Sequence, residues 1–261
     1  QALQLDPGTG YGPRLLAPIL DELRSAALDD QERALVEQLA DWNGDHTLDS
    51  VAATLFNQLT YQLAHEAMAD ELGEVFFDSL LQARALDTAL PRLTANADSP
   101  WWNRQGSEQR ESRAQIVAES WRASLAHLRH VLGDTPEAWT WDRTHTLTHE
   151  HPLGQQPLLA RVLNIGPFAA PGGHETPNNL SHKIGPAPWP VVYGPSTRRL
   201  IDLGDADKAL SGIPVGQSGV PFDAHYGDQA AAHVAGEYQP QHLSEADVKA
   251  NSQGTLRLLP R

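Results

Sequence analysis

The stretch PVGQSGVPFDAHYGDQ, Pro214 to Gln229, holds a serine between small residues with a histidine and an aspartate close behind. Ser218, His225 and Asp228 are the residue types of a nucleophile, a base and an orienting acid. A nucleophile elbow needs G-x-S-x-G, because glycines on both sides permit the strained strand-to-helix turn. In Gly216-Gln217-Ser218-Gly219-Val220 the second glycine comes one position early. His225 and Asp228, three residues apart, would share one helix face and serve packing or surface bonding. The segment reads as a glycine turn delivering the chain into a helix from about Pro221 to Tyr238, with Ser218 as a turn residue.

Histidines concentrate in WTWDRTHTLTHEHP, Trp139 to Pro152. Strand alternation would place Trp139, Trp141, Arg143, His145, Leu147, His149 and His151 on one face. His145 and His149 could share a metal, but residues four apart on a strand are far apart in space. No carboxylate of fixed spacing completes a site, so structural histidines are expected. In His65-Glu66-Ala67-Met68-Ala69-Asp70 the second histidine of H-E-x-x-H is replaced by Ala69, which leaves an exposed polar helix face. The loop Pro171-Gly172-Gly173-His174-Glu175-Thr176-Pro177-Asn178-Asn179 could approach a ligand closely. It lacks the strand-to-helix context of a dinucleotide fingerprint and the lysine of a phosphate loop. A structural loop and a pocket-lining loop both fit it. The residues alone complete no catalytic constellation.

The elements that would position these residues change character along the chain. Pro13 with Leu15, Leu16, Ile19, Leu20 and Leu23 predicts a first helix. Asp29 or Asp30 could cap a second. Gly44 falls in a turn after Trp42. Helices are expected over 49–72, 75–86 and 109–131, with a Pro100-Trp101-Trp102 loop between the last two. After Gly133 proline and glycine become frequent. Short β-favouring runs appear at 139–149, 160–165, 191–193, 199–203 and 255–259. Ser244-Glu245-Ala246-Asp247 resembles a capping box opening a last short helix. The reading is α+β, with residues 1–133 mainly helical and 134–261 strand-rich.

Composition bounds the partners. The chain has 261 residues, 40% of them hydrophobic, with seven tryptophans, enough to bury a core. A net charge of −14 argues against nucleic acid or an anionic membrane. With no cysteine, disulfides, zinc thiolates and cysteine catalysis are excluded. No apolar run is long enough to form a spanning helix, and the first residues lack the pattern of a signal peptide. Gln1 is not an initiator methionine, which suggests that processing or truncation sets the start.

Five ordered groups of residues together resemble one family. They are His151-Pro152-Leu153-Gly154; Pro171-Gly172-Gly173 with Thr176 and Asn178; Gly194-Pro195-Ser196-x-Arg198 with Asp202; Gly216-Gln217-Ser218-Gly219; and His225-Tyr226-x-Asp228-Gln229. Their sequence is similar to the carboxy-terminal half of the β chain of penicillin acylases. The short spacing between Gly219 and His225 resembles the acyl-homoserine-lactone acylase branch. Asp41-Trp42-Asn43-Gly44 looks like a turn in the helical part of that chain, and the likeness extends over nearly all residues.

The resemblance implies an N-terminal-nucleophile hydrolase with an αββα sandwich, to which this chain would contribute its strands. In that family a precursor cleaves itself, and the exposed serine attacks an amide with its own α-amino group as base. The resemblance places that serine, the oxyanion asparagine and any calcium ligands upstream of Gln1. No catalytic residue and no metal ligand is therefore expected in this chain, and its substrate-binding residues are left unassigned. The expected partners are an α chain and a serine-bearing β segment of the same precursor, the expected location is the periplasm, and the isolated chain is expected to be inactive. The implied substrates are N-acyl-homoserine lactones and β-lactams such as penicillin. The alternative is a non-catalytic binding or assembly module that shares only the architecture.

Overall fold

A computed structural model describes residues 1–260 of the chain. It resolves into two compact bodies. One comprises residues 2–148 and 167–194, the other Gln1, 149–166 and the described residues from 195 onward. The sequence places the boundary at 133. In the structure residues 134–148 and 167–194 belong with the helices, to which Gly172 N–His46 O, Asn178 N–Asp6 O and Ala187 N–Gln58 Oε1 bonds tie the later segment.

The first body is built on helices. Short α1 (Tyr11–Leu16) and α2 (Leu20–Ser25) replace the single helix expected from Pro13 onward. Helix α3 (Asp30–Ala40) starts at Asp29, whose side chain accepts from Glu32 N while Glu32 returns a bond to Asp29 N. This reciprocal cap satisfies two of the donors that every helix start leaves open. Helix α4 (Val51–Leu72) is capped by Ser50. It is buried on nearly every side of its first three turns, as expected of a helix at the centre of a bundle. Around it pack α3, α5 (Glu74–Leu81) and α7 (Arg113–Leu132). The expected single helix over 75–86 is in fact α5 followed by α6 (Ala85–Ala95), which carries Pro91 in its interior. The Pro100–Trp102 loop closes as a single 3-10 turn with Trp102 buried.

The tryptophan- and histidine-rich stretch is not the long strand its alternation suggests. Trp141–Thr144 forms a short helix, α8, and only Thr146–His149 is strand, β1. Trp141 and His145 are stacked at 4.7 Å, an arrangement a helical turn allows and an alternating strand does not. The chain later returns along β2 (Ile165–Ala169), and β1 and β2 make a two-stranded sheet.

In the second body the run 160–165, expected as a strand, is mostly α9 (Pro157–Leu163). Pro157 at its first turn is preorganised for helix. A three-stranded antiparallel sheet follows. It pairs β3 (Arg198–Leu200) with β4 (Leu210–Gly212), Arg198 opposite Gly212, and β4 with β5 (Gln239–Pro240). In the helical body the run 191–193 makes an isolated bridge between Tyr193 and Ser181, and in the second body 255–259 is not a strand. The helix expected over 221–238 is a series of turns ending in the six-residue α10 (Ala230–Ala235). Ser244 caps α11 (Glu245–Asn251) as its sequence suggests.

Candidate functional site

The deepest feature of the helical body is a set of aromatic rings and imidazoles. Trp141 stacks on His145 at 4.7 Å and on Trp189 at 5.4 Å, and His182 lies 5.3 Å from His145. His46 meets the Trp141 ring at 5.0 Å. All three histidines are buried. Each is held by a neutral hydrogen bond. Asn57 Nδ2 donates to His46 Nε2 (3.0 Å), His145 Nδ1 donates to Ala170 O (2.7 Å), and His182 Nδ1 donates to Lys183 O (2.9 Å). Burial is the main reason they stay neutral. It pushes His46 down to about 3 and His145 down to about 4, and holds His182 well below the ordinary range.

The 171–179 loop closes over this cluster. Gly172 N donates to His46 O (2.9 Å), and Trp141 Nε1 donates to Gly172 O (2.9 Å). Thr176 Oγ1 accepts from Gly173 N (3.0 Å) and donates to Asn178 O (2.8 Å). Asn178 N reaches Asp6 O at 2.8 Å. The loop is thus structural on its inner side. On its outer side His174, Glu175 and Thr176 line a cavity of about 540 Å³ with Arg84, Asp87 and His182. Asp87 opens helix α6, and His174 Nε2 bonds its Oδ1 at 2.6 Å. Sequence reasoning left the loop's two roles open and passed over Asp87 entirely.

The other candidates are placed as follows. Ser218 Oγ accepts from Val220 N (3.2 Å), and Ser218 N donates to His225 O (3.0 Å). His225 Nδ1 bonds Asp228 Oδ2 (2.8 Å) at the surface, in turns rather than on a helix face. The serine hydroxyl therefore has a main-chain partner, and the imidazole is engaged by the carboxylate. Asp228 raises the pKa of His225 through this bond and its charge. A Cβ on Gly216 would lie 1.7 Å from His225 O, so the turn closes only on a glycine. His149 and His151 border a smaller cavity of about 210 Å³ with Ser218 and Tyr226. His145 is buried with its Nδ1 bonded to Ala170 O, and among the described residues neither His145 nor His149 belongs to a group of three side chains spaced to hold a metal. His65 and Glu66 lie on α4, where Glu66 accepts from Arg104 (2.6 Å) and Gln62 (2.9 Å). That face is half-buried and ion-paired instead of exposed.

A model of the family described as penicillin amidase matches residues 1–250. The chain belongs to the penicillin amidase family. It is 27% identical to the acyl-homoserine lactone acylase QuiP of Pseudomonas aeruginosa, over 98% of this chain and 32% of that protein. It is 26% identical to the penicillin acylase 2 proenzyme of Pseudomonas sp. strain SE83, over 87% of this chain and 28% of that one. The chain spans about a third of the length of these curated relatives. A thermostable penicillin G acylase from Alcaligenes faecalis superposes with a TM-score of 0.54 at 16% identity, covering 98% of this chain and 47% of that one. The mixed helix-and-sheet arrangement is that of the penicillin acylase fold. The family's motif residues fall in structurally constrained turns here. His151 Nδ1 accepts from Leu153 N (3.1 Å), and a Cβ on Gly154 would lie 1.8 Å from Asn164 Oδ1.

Proposed function

We propose that this chain is part of an amidohydrolase that cleaves the acyl amide of N-acyl-homoserine lactones, with β-lactams such as penicillin as a second substrate class. The observation that carries this reading is the match along 98% of the chain to a protein named an acyl-homoserine lactone acylase. The nucleophile in this reading is the N-terminal serine of another segment of the same precursor. Its free α-amino group, with a pKa of roughly 8, accepts the hydroxyl proton near neutral pH. Backbone N–H groups and an asparagine of that segment stabilise the oxyanion. Self-cleavage of the precursor exposes the serine, and the site of action is the periplasm.

In this assembly the present chain braces the site and does not attack. Two features support that role. The Ser218 hydroxyl, the one arranged most like a nucleophile in the sequence, is bonded to Val220 N. Large apolar side chains at Leu158, Leu203 and Phe222 are exposed, Phe222 to 90%, as is expected of surfaces that a companion chain covers. The test is to purify the assembled protein and follow release of homoserine lactone from N-acyl-homoserine lactones of several chain lengths, with penicillin in parallel. Amide cleavage that depends on an N-terminal serine in a co-purifying polypeptide supports the reading. An assembly that binds these amides without cleaving them overturns it.

A further inference from the structure

The outer face of the 171–179 loop gathers a set of polar side chains that the acylase reading does not use. One ring nitrogen of His174, one oxygen of Asp87 and one of Glu175 all lie within 4.8 Å of one another. Asp87 comes from the first turn of α6, and the other two come from the loop, His174 lying 87 residues later. An imidazole with two carboxylates is a donor set for a borderline divalent ion such as Zn²⁺ or Co²⁺. Beside this trio, His182 also lines the cavity, although only 3% of its surface is exposed. Its Nδ1 is committed to Lys183 O, so its Nε2 carries the lone pair, and that atom has no protein partner. It lies on the side of the ring facing Gly173, 3.5 Å from where a Cβ there would stand, and its ring is 6.0 Å from that of His174. His174 Nδ1, also buried, likewise lacks a hydrogen bond, and Asp87 Oδ2 has only its ion-pair contact with Arg84 Nε. A fully buried atom left without a partner, as His182 Nε2 is, is uncommon in a native fold and calls for one.

The geometry points to a divalent metal site in which His174, Asp87 and Glu175 are the ligands and His182 accepts a hydrogen bond from a water in the fourth position. On binding, the ion replaces the proton shared by His174 and Asp87. That proton moves from Nε2 to Nδ1, so that His174 ligates through Nε2 as a neutral imidazole. Tetrahedral zinc bonds of about 2.0–2.1 Å separate ligand atoms by about 3.3 Å. The 2.6 Å contact between His174 and Asp87 must therefore open by about 0.7 Å. Arg84 competes with the ion. Its guanidinium pairs with Glu175 and stands 3.3 Å from Asp87 Oδ2, while 77% of its side chain is in solvent and free to swing away. The chain has other histidines, so the site must be read through variants and not from uptake alone.

The experiment titrates the chelator-stripped protein, in its native assembly, with Co²⁺ and follows the visible d–d absorption, with Zn²⁺ as competitor. The wild type is expected to bind one equivalent with a low-symmetry spectrum. Asp87→Asn and Glu175→Gln should each weaken binding at least about tenfold. Glu175 is at the surface, so its variant tests the site without endangering the fold. Arg84→Ala should tighten binding by removing the competing cation. A protein that stays colourless, variants that bind Co²⁺ as the wild type does, or weaker binding by Arg84→Ala overturns the assignment.

Discussion

Gly172 approaches the main chain of Asn178 so closely that a Cβ on it would lie 2.2 Å from the Asn178 carbonyl oxygen. Its φ of +78° is also one that L side chains adopt only at a cost. The same carbonyl accepts from Thr176 Oγ1, and Asn178 N holds the loop to Asp6. Gly172→Ala must therefore either break this knot or displace Asn178. We expect a loss of about 2–4 kcal/mol, seen as a fall of several degrees in Tm in a calorimetric scan. An alanine variant melting within about 1 °C of the wild type would mean that the loop is far softer than its bonding indicates.

The engagement of Ser218 gives a second expectation. Its Oγ accepts from Val220 N, and its amide donates to His225 O. Ser218→Ala deletes one exposed hydroxyl contact and leaves the turn's main-chain bond in place. Amide turnover by the assembled protein should stay within a few-fold of wild type. A drop in kcat of several orders of magnitude, with the melting curve unchanged, would make Ser218 the nucleophile and displace the reading of this segment as scaffold.

What was legible in the sequence was local. Asp29 and Ser244 each signal a helix start through a side chain that reaches only three residues ahead, and each is a cap in the structure. The family motifs were legible for the same reason, since a glycine turn is a local object. Errors arose where a local pattern fits two elements. Ala160 to Ile165 is β-favouring as a string, but Pro157 ahead of it starts helix α9. The alternation from Trp139 onward suggested a strand, and tertiary burial of Trp141 and His145 turned part of it into a helical turn. The meeting of Asp87 with His174 could not be read at all. Their separation of 87 residues carries no periodicity, and only the packing of the loop against α6 brings them together.

The buried imidazoles make stability depend on mildly acidic pH. In the unfolded chain His46 and His145 titrate at their ordinary value of 6.5, whereas in the folded protein they resist protonation down to about 3 and about 4. Above pH 6.5 both states hold them neutral, and they add no pH dependence. As pH falls below 6.5 the unfolded chain binds protons that the folded one refuses, and stability is lost until the folded pKa values are passed. Each histidine contributes a slope of about 1.4 kcal/mol per pH unit once the unfolded state is protonated. Between pH 6.5 and 5 most carboxylates are still ionised; Glu71, pushed up to about 7 by burial and by Asp70, binds its proton in the folded state and partly opposes the histidines, which outnumber it. His233, in the other body, is pushed down to about 4 by burial and by Arg198 and acts in the same direction. Denaturant midpoints measured from pH 7.5 to 5 should fall steadily in the wild type. His46→Gln and His145→Gln, which cannot take a proton, should each flatten that fall whatever they do to stability at pH 7.5. If both variants keep the wild-type slope, the acid sensitivity arises from groups other than this buried cluster.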